Sequence, residues 1–461
     1  MFHGIKKSDI KKLTPEEEKK NEEKLKKIAV IHKQVLKIKK ECKYSAANLD
    51  FLLKAGQLMA DYPTIWDVRK ILIEQYIPTI TEDELYVFLK KEITSIQGIM
   101  LRNPKCYLLW YHRIWCLIKA LEIEKKKGIP MEKCLLMNEI ELCNKFAMKD
   151  DRNFHCWNYR VEILTLISKY YNETFPQFLQ KQLDYSLSMI TKNFSNFSAW
   201  HYRGKLIPIY FYYNGIQWNT QKALDYFTSD LELLKKAMYT DPKDQSPWNY
   251  HYWIINNFSP IYVEKVDIKD SIVTIKYSNV FKIHNIVDIQ GEGEILNKEE
   301  FSSEISIKIP SELKENITIK SKVLNDINFD FDHLNLITNK ICFTKENVSL
   351  PTIVLSNKEG KIDYTISMTN VQQFQIDFLK SEEQKIIQLI KDSKDFFVEN
   401  GHFRLAQLNN IFYQISSVSQ DEKEREKAKE YRNKEIEEYK LLKEKSKRMT
   451  NMYATLLQAL Q

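Results

Sequence analysis

The sequence predicts a mostly α-helical chain, an α-α superhelix of repeated helical hairpins interrupted by an inserted all-β sandwich. Two observations carry that reading. The first is a motif that keeps returning: "NPKCYLLWYHR" (103–113), "DDRNFHCWNYR" (150–160), "NFSNFSAWHYR" (193–203) and "DPKDQSPWNYH" (241–251). With the weaker copy "DYPTIWDVR" (61–69), the tryptophans stand at 66, 110, 157, 200 and 248, spaced 44, 47, 43 and 48 residues apart. Such a period holds a helix, a turn, a second helix and a connector, and is too long for a tetratricopeptide unit of about 34 residues. The second observation is a switch from helical to alternating hydrophobicity between about 259 and 369, after which helical sequence resumes. The expected domains are 1–258 (helical repeats), 259–369 (β-sandwich) and 370–461 (closing helices).

In chain order, "LTPEEEKKNEEKLKKIAVIHKQVLKIKKE" (13–41) reads as a charged helix. Each later motif helix carries its own start signal. Asn153, Asn196 and Asp244 lie four residues before the tryptophan, where a short polar side chain can accept an orphan first-turn amide. Pro247 falls in the first turn, where its missing N–H costs nothing. Three residues after the tryptophan stand Arg69, Arg113, Arg160 and Arg203, with His251 in the last copy. Seven after it stand Ile73, Leu117, Leu164, Ile207 and Ile255, on the same helical face. Trp66, Trp110, Trp157, Trp200 and Trp248 therefore read as packing residues, and the arginines as clamps onto the carbonyl end of a neighbouring repeat.

Between 259 and 369, "SIVTIKY", "EISIKIP", "ENITIKSKV", "INFDF", "PTIVLSN" and "KIDYTISM" alternate and are rich in Ile, Val, Thr and Phe. Short strands broken by Asn, Gly and Pro fit an antiparallel sandwich. Beyond it, "FLKSEEQKIIQLIKDSKDFFVENGHFRLAQLNNIFYQI" reads as two helices punctuated by Glu399-Asn400-Gly401. "DEKEREKAKEYRNKEIEEYKLLKEKSKR" reads as a solvated charged helix.

Composition excludes several function classes. Ten glycines and twelve prolines in 461 residues argue against a Gly-rich nucleotide-binding fold. The net charge of +7 is spread along the chain, so no nucleic-acid partner is expected. Seven cysteines (42, 106, 116, 134, 143, 156, 342) without a C-x-x-C pair read as reduced thiols. The polar N-terminus and the lack of a long apolar run point to a cytoplasmic protein without a transmembrane segment. No HExxH, P-loop, G-x-S-x-G or clustered metal-ligand set is present, so no metal is expected on this chain.

The Asn-x-x-x-Trp-x-x-Arg repeat, over roughly 50 to 258, resembles the protein prenyltransferase alpha-subunit repeat. The resemblance implies a right-handed solenoid packed against a catalytic beta subunit that holds zinc and the isoprenoid pocket. Three features are most similar to Rab geranylgeranyltransferase (type II) alpha subunits. These are the "MFHGIKK" start, the repeats "NPKCYLLWYHRIWCL", "DDRNFHCWNYR" and "NFSNFSAWHYR", and the β insert, immunoglobulin-like in animal members. Animal members also continue into leucine-rich repeats; 370–461 shows no L-x-x-L-x-L pattern.

The family's Lys-x-Tyr-x-x-Trp segment is matched by "KCYLLW". The resemblance makes Lys105 the group that approaches the isoprenoid diphosphate, with Tyr107 beside it. Arg152 holds the lysine's slot in the next repeat, as a structural residue or a lining residue of the substrate mouth. Leu108 stands where farnesyl-type subunits carry a glutamine that reads a substrate carboxylate, which a leucine cannot bond. Lys243 has the same slot in the last repeat without the tyrosine, and reads as structural. His3 resembles a family histidine that fills the open position of the partner's zinc in the resting enzyme.

The implied function is the alpha subunit of a heterodimer that transfers geranylgeranyl from geranylgeranyl diphosphate to C-terminal cysteines of Rab GTPases, presented by a Rab escort protein. Two alternatives stand beside it: the alpha subunit shared by farnesyltransferase and geranylgeranyltransferase I, and a non-catalytic helical-repeat scaffold.

Overall fold

The structure, a computed structural model, describes residues 14–216, 220–281, 287–297, 302–310, 313–321, 350–358, 361–393, 397–418, 422–446 and 448–460. By compactness the chain forms two units, Met1–Phe175 and Pro176–Gln461. This division falls inside the helical repeats, whereas the boundaries expected from sequence follow the change from helix to strand.

The first unit runs α1 (Pro15–Glu41), α2 (Ala46–Leu58), α3 (Pro63–Tyr76), α4 (Glu82–Arg102), α5 (Tyr107–Lys126), α6 (Leu135–Lys149) and α7 (Phe154–Tyr170). The second begins with α8 (Phe175–Lys192), α9 (Phe197–Tyr213), α10 (Gln221–Thr240) and α11 (Gln245–Phe258). The expected caps are in place. Asn153 accepts from the His155 amide, Asn196 from Ala199 and Asp244 from Ser246. Thr14 and Thr81 start α1 and α4 with full capping boxes, using Glu17 and Glu84.

One geometry is rebuilt at each motif. The tryptophan indole N–H donates to the carbonyl six residues back: Trp66 to Ala60 (2.7 Å), Trp110 to Pro104 (3.0 Å), Trp157 to Asp151 (2.8 Å), Trp200 to Phe194 (2.8 Å) and Trp248 to Pro242 (3.0 Å). Each ring thus ties its helix to the turn before it. The residue two after the tryptophan in the next copy packs on that ring, as in Trp66–His112, Trp110–Tyr159 and Trp200–Tyr250.

The arginines do more than the sequence suggested. Arg69, Arg113 and Arg203 each reach a carbonyl inside the preceding helix (Leu49, Ile93 and Leu183), not its carbonyl end. Their other face grips a buried carboxylate on the following helix: Glu92, Glu139 and Asp230. Each acid is shared with the next copy. His112 lies 2.8 Å from Glu92, Tyr159 donates to Glu139 at 2.6 Å and Tyr250 to Asp230 at 2.6 Å. Three consecutive helices are therefore held by one guanidinium, and each buried carboxylate also bonds the motif helix that follows. Arg160 donates to Asn144 at 2.7 Å. In the last copy His251 replaces arginine and pairs with Glu382 at 2.9 Å.

Strands follow in the second unit. β1 (Val263–Lys269), β2 (Ile272–Phe281), β5 (Ser302–Lys308) and β4 (Glu294–Ile295) form one antiparallel sheet in the order β1-β2-β5-β4. β3 (Val287–Gln290), β6 (Ile317–Ser321), β7 (Thr352–Lys358) and β8 (Lys361–Ser367) form the other, in the order β3-β6-β7-β8. Val273, Ile275, Ile305 and Ile307 from one sheet share a core with Ile319, Ile353 and Leu355 from the other. The period-two alternation places these residues on the inner faces. The strand expected at "INFDF" lies outside the described residues.

Among the described residues, four helices follow the strands: α12 (Asn370–Asp392), α13 (Glu399–Ser417), α14 (Glu422–Lys445) and α15 (Thr450–Ala459). Glu399-Asn400-Gly401 sits in the first turn of α13, not between helices. Gly401 is there because a Cβ would stand 3.1 Å from Ile390 and Val398. Nor is α14 fully solvated. Ala428, Tyr439 and Leu442 are buried, the last two in a cluster with Ala406, Tyr453 and Leu457.

Candidate functional site

The site grows from the turns before α5 and α7 in the first unit. The slot seven residues before the tryptophan ends one helix and turns the chain into the next. Asp150 does this with its Oδ1, which accepts the Arg152 amide at 3.1 Å. Asn193 and Asp241 make the same bond to Ser195 and Lys243. At Asp150 this Asx turn leaves Arg152 exposed one residue before the Asn153 cap, and Lys105 is exposed in the matching position before α5, where Asn103 instead donates to the Ile99 carbonyl at 3.1 Å.

Lys105 is 69% exposed, and its Nζ lies 3.4 Å from Asp150 Oδ2. Tyr107, the first residue of α5, is 51% exposed and meets the His155 ring edge-on, with centroids 4.1 Å apart. Phe154 lies over His155 at 4.0 Å, and Tyr111 stacks one turn beyond Tyr107 at 6.3 Å. His155 itself is buried. Burial, then the positive charge of Lys105, pushes its imidazole below the ordinary range and keeps it neutral near pH 7. The result is an exposed aromatic surface, Tyr107, Tyr111 and Phe154, edged by the cationic Lys105 and Arg152.

Chemically, such a surface suits an extended apolar chain that ends in a phosphate-type anion. Lys105 is thus brought to Asp150 and Tyr107 to His155, and Arg152 shares the turn of Asp150. Phe154 and His155 were not singled out from sequence, although both lie within a repeat copy and could have been found by aligning it on "KCYLLW". Leu108 is half-buried, Lys243 lies at its expected turn, and His3 lies outside the described residues.

Among the described residues, no three His, Cys, Asp or Glu side chains are grouped to hold a metal ion. No helix there is long and apolar enough to cross a membrane.

Comparison with known proteins gives the relationship. The protein prenyltransferase alpha subunit repeat matches residues 89–120, 136–167, 179–209 and 227–258. Each match covers a motif helix or most of one, with part of the helix before it. A Candida albicans geranylgeranyl transferase type-2 alpha subunit is 30% identical over 289 residues, spanning 56% of this chain and 74% of the relative. The chain belongs to the protein prenyltransferase alpha-subunit family. The human type-2 alpha subunit is 33% identical over 200 residues, covering 43% of this chain but 32% of the human one. The chain thus spans about a third of the mammalian relatives it matches. Its fold is also that of a solved Candida albicans protein geranylgeranyltransferase-I complexed with GGPP, with a TM-score of 0.51 and 15% identity over 95% of this chain and 91% of that one. At that identity the likeness concerns fold alone.

Proposed function

We propose that this alpha-subunit family member works as half of a Rab geranylgeranyltransferase, paired with a catalytic beta subunit. In this reading the heterodimer moves geranylgeranyl from its diphosphate to C-terminal cysteines of Rab GTPases brought by an escort protein. The observation that carries it is the turn that exposes Lys105, 3.4 Å from Asp150, two residues ahead of Tyr107, whose ring meets His155 and, through it, Phe154. The names of the relatives support the substrate class.

Zinc belongs to the partner subunit in this reading, where it would supply a thiolate from the substrate cysteine. The chain's own residues do the rest. As the C1–O bond of the isoprenoid breaks, negative charge grows on the diphosphate bridging oxygen, and the Lys105 ammonium stabilises it more than it stabilises the bound ground state. Tyr107 and the rings beside it offer flat apolar contact to the prenyl chain near its head. Arg152 adds a second cation at the mouth.

The test uses the co-expressed heterodimer and an escorted Rab. Lys105→Ala should slow single-turnover transfer on the order of 10–100-fold, about 1.4–2.7 kcal/mol, with a smaller effect on isoprenoid affinity. An unchanged rate removes Lys105 from the chemistry. Transfer by this chain without a partner, or preference for a free CaaX peptide over the escorted Rab, would overturn the assignment.

A further inference from the structure

The geometry points to Asp150 as a resident counter-anion for Lys105, a positioning residue from which an arriving diphosphate must take the lysine. The inference rests on the reading of Lys105 given above.

The repeats themselves separate what the carboxylate does from what the backbone needs. Asp150, Asn193 and Asp241 hold one slot, seven residues ahead of Trp157, Trp200 and Trp248. In each, Oδ1 accepts the amide two residues on, at 3.1, 3.1 and 3.0 Å. A neutral asparagine makes this turn as well as an aspartate does. The charge at position 150 is therefore surplus to the turn. It faces Lys105, with Oδ2 3.4 Å from Nζ.

The two partners differ in freedom. One carboxylate oxygen is pinned by the Arg152 amide, and Asp150 is 41% exposed. Lys105 is 69% exposed on a flexible four-carbon stem, so the lysine is the one that moves. At rest the ammonium is kept beside Asp150 instead of sweeping through solvent. A diphosphate that draws it away must also sit near an uncompensated carboxylate. Asp150 thus weakens ground-state holding of diphosphate and favours release of the diphosphate formed by transfer.

The experiment measures inhibition of the heterodimer by inorganic diphosphate. Asp150→Asn keeps the turn, as Asn193 does, and removes the charge. It should tighten diphosphate inhibition about 3- to 10-fold, the scale of a half-exposed ion pair plus a nearby like-charge repulsion. Added salt should shrink the gain. In a Lys105→Ala background the gain should be smaller, because the competing pair is already gone. Unchanged or weaker inhibition in Asp150→Asn, or strict additivity with Lys105→Ala, overturns the role. The two failures are distinguishable. If Lys105→Ala slows transfer while Asp150→Asn leaves diphosphate inhibition where it was, only the counter-anion role falls. If Lys105→Ala changes nothing, the reading of Lys105 falls and takes this one with it.

Discussion

Glu92 shows how much one side chain of this repeat carries. It is buried, takes two bonds from Arg69 at 2.5 Å each, and faces His112 at 2.8 Å. Burial alone would push its carboxyl up; the hydrogen bonds from Arg69 and His112, with the Arg69 charge, outweigh that and bring it down to about 2. Burial keeps His112 below its ordinary range, so that contact is a hydrogen bond from a neutral imidazole rather than an ion pair. The pH consequence follows from the sign. A carboxylate depressed in the fold stabilises it fully above its unfolded value near 4.5, and that contribution is lost as pH falls towards about 2. Glu92→Gln leaves the Arg69 guanidinium buried without its counter-charge and should cost about 3–5 kcal/mol at pH 7. The gap between wild type and variant, read from denaturant unfolding, should narrow from pH 5 to pH 3; a gap independent of pH would contradict the ion pair. The acids were legible in principle. Glu92, Glu139 and Asp230, with Gln182 in the same slot, each lie eighteen residues before the next tryptophan. They were missed because the loop lengths vary on the other side, so aligning forward from each tryptophan hides a register that aligning backward reveals.

At the scale of elements, the caps and the tryptophan helices were readable because both depend on residues within one turn. What lay hidden was the use made of the tryptophan nitrogen, which sequence treats as part of a hydrophobic ring. Trp157→Phe keeps most of the packing but leaves the Asp151 carbonyl without its 2.8 Å donor. It should cost about 1–2 kcal/mol. Asn153→Ala removes the cap of the same turn and should cost about 1 kcal/mol. The two losses act on one loop, so the double variant should lose less than their sum; additive unfolding free energies would mean that cap and indole act independently. The reading of α14 erred for a different reason. Its charge density conceals a narrow apolar line, Ala428, Tyr439 and Leu442, too sparse to stand out from the lysines and glutamates around it. Lys105 and Tyr107 could be singled out only through resemblance, since an exposed lysine before a helix has no signature of its own. The pairing of Asp150 with Lys105 became visible only when the fold brought two turns 45 residues apart in sequence to 3.4 Å.

At the scale of the whole molecule, the sheets interrupt a helical contact that does not depend on them. α11 ends at Phe258 and α12 begins at Asn370, yet the two pack together across the gap in sequence. Phe258 meets Phe378 with centroids 5.0 Å apart, and His251 bonds Glu382 at 2.9 Å. Gln372 donates to the Ile261 carbonyl at 2.8 Å and Gln375 to Ser259 at 3.4 Å, so the entry and exit of the strand segment are fastened side by side. Thr369 starts α12 with its own capping box and needs nothing from the strands. Replacing 262–366 with a short flexible linker should therefore leave α11 and α12 paired, because closing a short loop between adjacent ends costs little entropy. The expected loss is local. A cavity of about 310 Å³ lies where Ile261, Val263 and Ile366 approach Ile376, Phe412 and Tyr431, and deletion uncovers its helical wall. The shortened chain should show a lower unfolding temperature and poorer solubility; on the function proposed above, it should still co-purify with the beta subunit and transfer geranylgeranyl at a rate close to the full chain's. Co-purification is the decisive reading. If the shortened chain folds, as judged by circular dichroism, but no longer captures its partner, the sheets take part in assembly.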